Sequence, residues 1–470
     1  MSDLVLKPAV DLLAMLSARE LSPLELADEH IVQIKRLNPQ LNALIDFDEQ
    51  RVRNQAIALE RSSAQPGPLH GLPMTVKASI AVAGHRCETG SLLHQGHIPG
   101  EDAVIVDRMR QAGVVVLGTT NCPEFLMAYE TDNRLYGRTS NPWDLTRTSG
   151  GSSGGESAAI AAGLSPCGFG SDGGGSVREP AHFTGICALK PTPGRIPAIG
   201  HLPPCVGPFS LLGTVGPMAR TIADVSLLFR ILSGHAETDP FGAPVPFRHY
   251  TTEDLRQIPV GFFEDDAHTP VTPETQQAVQ DTVRSLRNHG FRVEPFRPRA
   301  LEQARKLWWK YFVRCGAMLL SPLFAGREEQ LSPTFQDFLS IARRDPALTG
   351  EELLSAWTEC DTVRAMLLDE MREFPILLMP VCSVPAFHHG ERQWTVDGRQ
   401  VDYLDAMRYT QWFNLLGAPA AVVPVRRSPE GLPIGIQIAG RPYQDEAVLG
   451  IAAAVEHDFG YQPPPMALHA

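Results

Sequence analysis

Residues Gly150 to Pro180 read GGSSGGESAAIAAGLSPCGFGSDGGGSVREP, with ten glycines, six serines and almost no bulky side chains. Glycine lacks a Cβ, so its backbone reaches positive φ and several N–H groups can crowd one point. Ser152 and Ser176 each close a GGS word and lie 24 residues apart. Between them Glu156 to Ala162 is a short Ala-rich helix candidate. The stretch therefore reads as loop, helix, loop, with a hydroxyl at the end of each glycine run: a nucleophile site. A phosphate loop is the first rival, because Gly168 to Gly173 spells G-x-G-x-x-G. That pattern needs a helix opening after it, and none is evident past Ser176; no G-K-[ST] follows. A flexible linker is the second rival, and the apolar run AAIAAGL interrupts it.

Working outward, helices alternate with apolar strands. Ser22-Pro-Leu-Glu25 is a capping box with Pro at the first helical position. Leu24, Ala27, Ile31, Ile34 and Leu37 then repeat at helical spacing. Further helices are expected over Gln50–Arg61, Glu101–Gln111 and Pro273–His289, the last with Thr272 as cap and Gly290 as terminator. Strands are expected at Met74–Val76 ending in Lys77, Val114–Leu117, Phe291–Val293, Ala420–Val425 and Ile434–Ile438. This is the pattern of an α/β layer fold. The chain of 470 residues, 43% apolar, has no linker-like break. Its net charge of −12, with no block of like charges, argues against nucleic acid and anionic membrane as partners. Eight cysteines without a C-x-x-C pair read as free thiols of a reducing compartment. The N-terminus lacks a signal-type apolar core, and no run is long enough to span a membrane, so a cytoplasmic protein is expected. His94/His97 and His388/His389 have no metal-type spacing around them, and no metal is expected.

A serine hydroxyl needs a base. His182, six residues past Ser176, is the only histidine near the loops and has no acidic partner in any motif. A lysine can serve if burial keeps its amine neutral. Of 41 basic residues only six are lysines, and among these Lys77 alone ends an apolar strand, GLPMTVK. A strand-end lysine reaching out to solvent is the alternative reading of these residues.

The stretch Gly150 to Ala181 resembles the signature of the amidase signature family: GGSSGG, a spacer, then G-[ST]-D-x-G-G-S-[IV]-R-x-P. The similarity extends from ELSPLELADEHIVQIKRLNPQLNALI near the N-terminus to GLPIGIQIAGRP near the C-terminus. The resemblance implies one domain over 1–470, a large twisted mixed β-sheet covered by helices on both faces. It also implies a signature core at about 65–220 and a variable substrate-channel region at about 300–412. The matching lysine, Lys77, is implied to be the base, Ser152 the proton relay behind a cis Gly151–Ser152 peptide, and Ser176 the nucleophile. Backbone N–H groups of Gly173, Gly174, Gly175 and Ser176 are implied to form the oxyanion hole. Asp172 and Arg178 are expected to orient that loop, and Ser153 to hydrogen-bond beside the relay. After its lysine the family commonly carries an acid, where this chain has Ala78.

The activity so implied is hydrolysis of a carbon–nitrogen acyl bond through a serine acyl-enzyme, with no metal or organic cofactor. Carboxamides, anilides, carbamates and cyclic amides all suit it. The expected partner is such a small molecule, with monomer or homodimer left open. Two alternatives stand beside it: the glutamine-hydrolysing component of a tRNA-dependent amidotransferase, whose motif often has Gln where this chain has Glu179, and a non-catalytic binding protein on the same fold. Finally, Leu301 to Leu320 places Trp308, Tyr311 and Phe312 on one helical face. That face is either core or an aromatic wall for the substrate.

Overall fold

In the computed structural model, which describes residues 3–63 and 65–468, eleven strands form one mixed sheet. In chain order they are β1 (Leu44–Phe47), β2 (Pro73–Lys77), β3 (Val115–Thr120), β4 (Cys167–Asp172), β5 (Cys187–Lys190) and β6 (Thr214–Ala219). They continue as β7 (Val260–Phe262), β8 (Val293–Pro295), β9 (Ile376–Pro380), β10 (Ala420–Arg427) and β11 (Pro433–Gly440). Their spatial order is β1-β3-β2-β4-β6-β5-β10-β11-β9-β7-β8. Pairing is parallel between β2 and both its neighbours, and between β7 and both of its own. The other pairs are antiparallel.

The inner strands β2, β3, β4, β6, β9 and β11 are buried along their whole length. That follows from continuous apolar runs rather than strict alternation, the mark of a sheet covered on both faces. Successive side chains still part company. Met74, Val76, Val116, Ile376, Leu378, Val423 and Ile436 join one core cluster. Val115, Leu117, Leu377, Met379, Val422 and Ala439 join clusters on the opposite face. Thr75 and Lys77 alternate with Met74 and Val76, so they leave the sheet on that second face. Both meet the helix and loops of the glycine-rich stretch there.

The helices that matter for the site are α1 (Pro23–Leu41), α2 (Glu49–Arg61), α3 (Val104–Gln111), α4 (Gly154–Ala161), α5 (Arg178–Thr184) and α6 (Pro273–Asn288). Farther on come α7 (Leu301–Trp308), α8 (Cys315–Phe324) and α9 (Arg408–Leu416). The Ser22–Glu25 capping box opens α1 as its sequence predicts, with both reciprocal bonds made. No helix among the described residues is long and apolar enough to cross a membrane.

Several expectations change. The helix predicted from Glu101 begins at Val104, because Asp102 is held outside it by Ala83 N–H and Arg110. Thr272 does not cap α6 with its side chain; its hydroxyl pairs with that of Thr275. The strand predicted at Phe291–Val293 lies two residues later, over Val293–Pro295. A helix does open after Ser176, at Arg178, yet Gly168 and Gly170 lie inside β4, so the G-x-G-x-x-G letters form no phosphate loop. The helix predicted over Leu301–Leu320 is broken by a π turn at Trp309–Arg314.

Candidate active site

The site forms where β2 and β4 end side by side. Lys77 closes β2 with no exposed surface, which removes the snorkelling alternative. Its Nζ lies 2.6 Å from Ser152 Oγ, 3.1 Å from Ser153 Oγ and 3.1 Å from Ser171 Oγ. No carboxylate lies within ion-pair distance of it among the described residues. Burial lowers its pKa to about 8, against weaker raising influences from Cys122, Asp172 and Glu156. Ala78, standing where the family commonly has an acid, is buried and donates its N–H to Thr120 O. Glu156 on α4 accepts from Thr75 and Thr120 and is pushed up to about 7 by burial.

Ser152 follows a cis Gly151–Ser152 peptide, as the resemblance implies. Gly151 N–H is held by Glu179 Oε2 at 2.9 Å. Ser153 sits across from the Gly173–Ser176 loop, its backbone N–H donating to Ser176 O at 3.1 Å. His182 lies on α5, buried, accepting from Gly435 N–H and facing Val384 O. Burial lowers its pKa to about 4, and it packs between strands as a structural side chain.

The loop Gly173–Ser176 is held from outside. Trp308 Nε1 donates to Gly173 O at 2.9 Å, while Tyr129 Oη and Thr410 Oγ1 donate to Gly174 O at 2.7 and 2.6 Å. With these carbonyls tied outward, the N–H groups of Gly173, Gly174 and Ser176 have no partner among the described residues. Gly175 differs from the expectation: its N–H is already donated to Asp172 Oδ1 at 2.8 Å. The glycines themselves are demanded by packing. A Cβ on Gly174 would sit 2.5 Å from Trp308 Cζ2, and one on Gly175, at φ +126°, 2.3 Å from Thr410 Oγ1.

Asp172 and Arg178 form a fully buried two-point ion pair, Nε to Oδ2 at 3.0 Å and Nη2 to Oδ1 at 2.9 Å. Burial alone would raise the Asp172 pKa; the Arg178 guanidinium and the Asn414 amide hold it far below the usual carboxylate range. A solvated surface pair is thus ruled out.

Ser176 borders two cavities. The larger, about 410 Å³, is lined by Tyr129, Gly174, Trp308, Phe312, Phe338 and Tyr403. The smaller, about 50 Å³, is lined by Ser152, Gly173, His201, Pro203, Cys205 and Phe209. Trp308 and Phe312 stack at 4.9 Å and 11° on the wall of the larger one. Tyr311 does not join them: it lines a separate cavity of about 300 Å³ against Trp357, because the π turn carries it away from Phe312.

The amidase family model matches residues 25–449. The chain belongs to the amidase signature family. It is therefore a hydrolase of carbon–nitrogen bonds on a single-domain α/β fold. It is 31% identical to the indoleacetamide hydrolase of Bradyrhizobium diazoefficiens over 96% of this chain and 86% of that protein. It is 33% identical to a component of the glutamyl-tRNA(Gln) amidotransferase of a Synechococcus strain, over 96% of this chain and 92% of that protein. Among solved structures, a 6-aminohexanoate cyclic dimer hydrolase complexed with substrate superposes with a TM-score of 0.86 at 27% identity, covering 99% of this amidase and all of that chain.

Sequence reasoning missed Ser171, the third hydroxyl at Lys77, and the outer supports Tyr129, Thr410 and Asn414. A signal for two of these exists in α9: RYTQWFNLL is buried at every position, so its polar residues must bond inward. Among the described residues the one group of three possible metal ligands is His289, His457 and Asp458, none of which lines either cavity at Ser176. His94/His97 and His388/His389 gather no third ligand there.

Proposed function

We propose that this amidase hydrolyses small carboxamides by acyl transfer to Ser176, with Lys77 as base and Ser152 as relay. Neutral Lys77 takes the Ser152 proton as Ser152 takes that of Ser176. Ser176 Oγ bonds to the carbonyl carbon, and the oxyanion is received by the N–H groups of Gly173, Gly174 and Ser176, each worth about 3 kcal/mol when so aimed. The proton returns through Ser152 to the nitrogen, the C–N bond breaks, and the amine leaves. Water then attacks the ester carbon and gives its proton back to Ser176 Oγ. The observation that carries this reading is the buried Lys77 Nζ ringed by three serine hydroxyls, with no carboxylate partner among the described residues. Ser176 Oγ makes no hydrogen bond to Ser152 among the described residues, a looseness common before substrate tightens a site.

The region 300–412 supplies the aromatic side of the large cavity through Trp308, Phe312 and Tyr403, which supports its role as the substrate-facing part of a domain whose chemistry lies at about 65–220. A second reading, the glutamine-hydrolysing component of an amidotransferase, is supported by the Synechococcus relative. Purified chain assayed alone on glutamine and on a panel of arylalkyl amides separates the two. Turnover of the panel with glutamine inert favours the free-standing amidase.

A further inference from the structure

The two cavities at Ser176 differ in size and in which half of the machinery they contain. The larger, about 410 Å³, holds Gly174 and Ser176 but not Ser152. The smaller, about 50 Å³, holds Ser152, Gly173 and Ser176. Leu126, Met127, Phe312 and Ser176 border both and form the waist between them. That waist is built with some strain: Phe125 and Leu126 take φ of +48° and +68°, a conformation costing non-glycine residues about 1–2 kcal/mol each. Phe125, fully buried against Phe335, and its N–H bond to Thr89 O hold the turn in place.

We infer that the small cavity receives the leaving amine and the large one the acyl group, so that the substrates are primary amides of bulky aryl or alkyl acids. This rests on the reaction proposed above. Once the oxyanion is seated in its hole, the two substituents of the carbonyl can only exchange places. The nitrogen must face Ser152, since Ser152 returns the proton that lets it depart. Ser152 lies in the cavity of about 50 Å³. A space of that size admits a few molecules as small as water, at about 10–15 Å³ of cavity each, and is far below the roughly 300 Å³ at which pockets begin to hold aryl-sized ligands. The opposite cavity exceeds that threshold, and its Trp308–Phe312 stack offers a flat face to a ring. Of the titratable walls of the small cavity, burial lowers His201 to about 4 and pushes the Cys205 thiol up to about 12, so neither carries charge at neutral pH, while the Asp172 carboxylate there is already paired with Arg178.

Phenylacetamide and acetanilide test this directly, because they are isomers with the ring on opposite sides of the amide. Chemistry alone favours acetanilide, whose aniline is the better leaving group. The expected result is kcat/KM for phenylacetamide exceeding that for acetanilide by about 100-fold, the upper range of size discrimination by a pocket. Phe209→Ala, which widens the small cavity, narrows that ratio by about 10-fold; Cys205→Ala, a smaller change, narrows it in the same direction. Acetanilide turned over as well as or better than phenylacetamide overturns the inference and leaves the amidase reading intact. A ratio unmoved by either folded variant overturns it too. If neither isomer nor any other amide of the panel is hydrolysed, the proposed reaction falls and this inference with it.

Discussion

Replacing Arg178 by Ala removes the centre of the network that shapes the nucleophile loop. The guanidinium has no exposed surface and bonds both Asp172 oxygens, Thr410 O, Gln437 Oε1 and Asn414 Oδ1. Breaking a buried pair from one side costs about 3–5 kcal/mol, because the remaining charge is stranded. Here Gly175 N–H, Val177 N–H and Asn414 Nδ2 still bond Asp172, so the lower part of that range, about 3–4 kcal/mol, is expected. Unfolding entropy of about 2.1 cal/mol/K per residue turns this into a fall of about 3–4 °C in Tm for a chain of this length. The pH dependence gives a second handle. In the native protein the Asp172 pKa is depressed, so its stabilisation is fully present above the ordinary carboxylate range and is lost progressively as pH falls from that range to the lower folded value. Without Arg178, burial dominates and the folded pKa rises above the unfolded one, so the variant's deficit shrinks as pH is lowered from 7 towards 4.5. Scanning calorimetry of both proteins across that range reads both effects. Because Asp172 also fixes Gly175 and Val177 on either side of Ser176, kcat falls by about 10²–10³, as when oxyanion donors are misplaced. A Tm within 1 °C of the parent at pH 7 (about a quarter of the expected shift) with undiminished kcat would refute the argument. It would mean that the loop holds its shape without this pair.

Three further outcomes follow from the site. Ser176→Ala and Lys77→Ala each abolish turnover, while Ser152→Ala keeps a small remainder where water replaces the relay; steady-state rates on purified variants check this, and near-normal turnover in Lys77→Ala removes lysine as base. Since Lys77 must be neutral, and burial lowers its pKa to about 8, kcat/KM rises about tenfold per pH unit below that value and levels above it; a profile falling steadily from about pH 6 to 9, with the enzyme folded, contradicts the assignment. Gly174→Ala drives a methyl to 2.5 Å from Trp308 Cζ2, so the hole shifts and kcat drops by at least about 10-fold with a smaller loss of Tm; unchanged kinetics would show that Trp308 yields freely.

The proposed nucleophile, relay and base are readable because each sits at the end of a short word whose letters constrain the backbone locally. Ser152 and Ser176 follow glycine pairs, and Lys77 ends an apolar strand. The supports of the loop are not readable, because hydrogen bonds from Tyr129 and Thr410 to Gly174 cross 45 and 236 residues of sequence. Ser171 is readable in principle. It stands one position before Asp172 at the end of β4, which runs parallel to β2, so the two strand ends bring its hydroxyl to Lys77.

The aromatic segment shows a different obstacle, one of helical pitch. In a regular α-helix, residues 308, 311 and 312 share a face because neighbours three and four apart lie together. The π turn over Trp309–Arg314 inserts an extra residue per turn. Phe312 keeps its stack on Trp308, whereas Tyr311 rotates to Trp357 and a cavity of its own. Trp308, Trp309 and Phe312 wall the large cavity from this segment, and Tyr311 does not. One of them, Phe312, also borders the small cavity and meets Phe209 edge-on at 5.8 Å. Its position, and not the total aromatic area, sets how the space around Ser176 is divided. The π turn thus takes Tyr311 out of the space around Ser176 and leaves Phe312 in it, on the boundary between the two cavities.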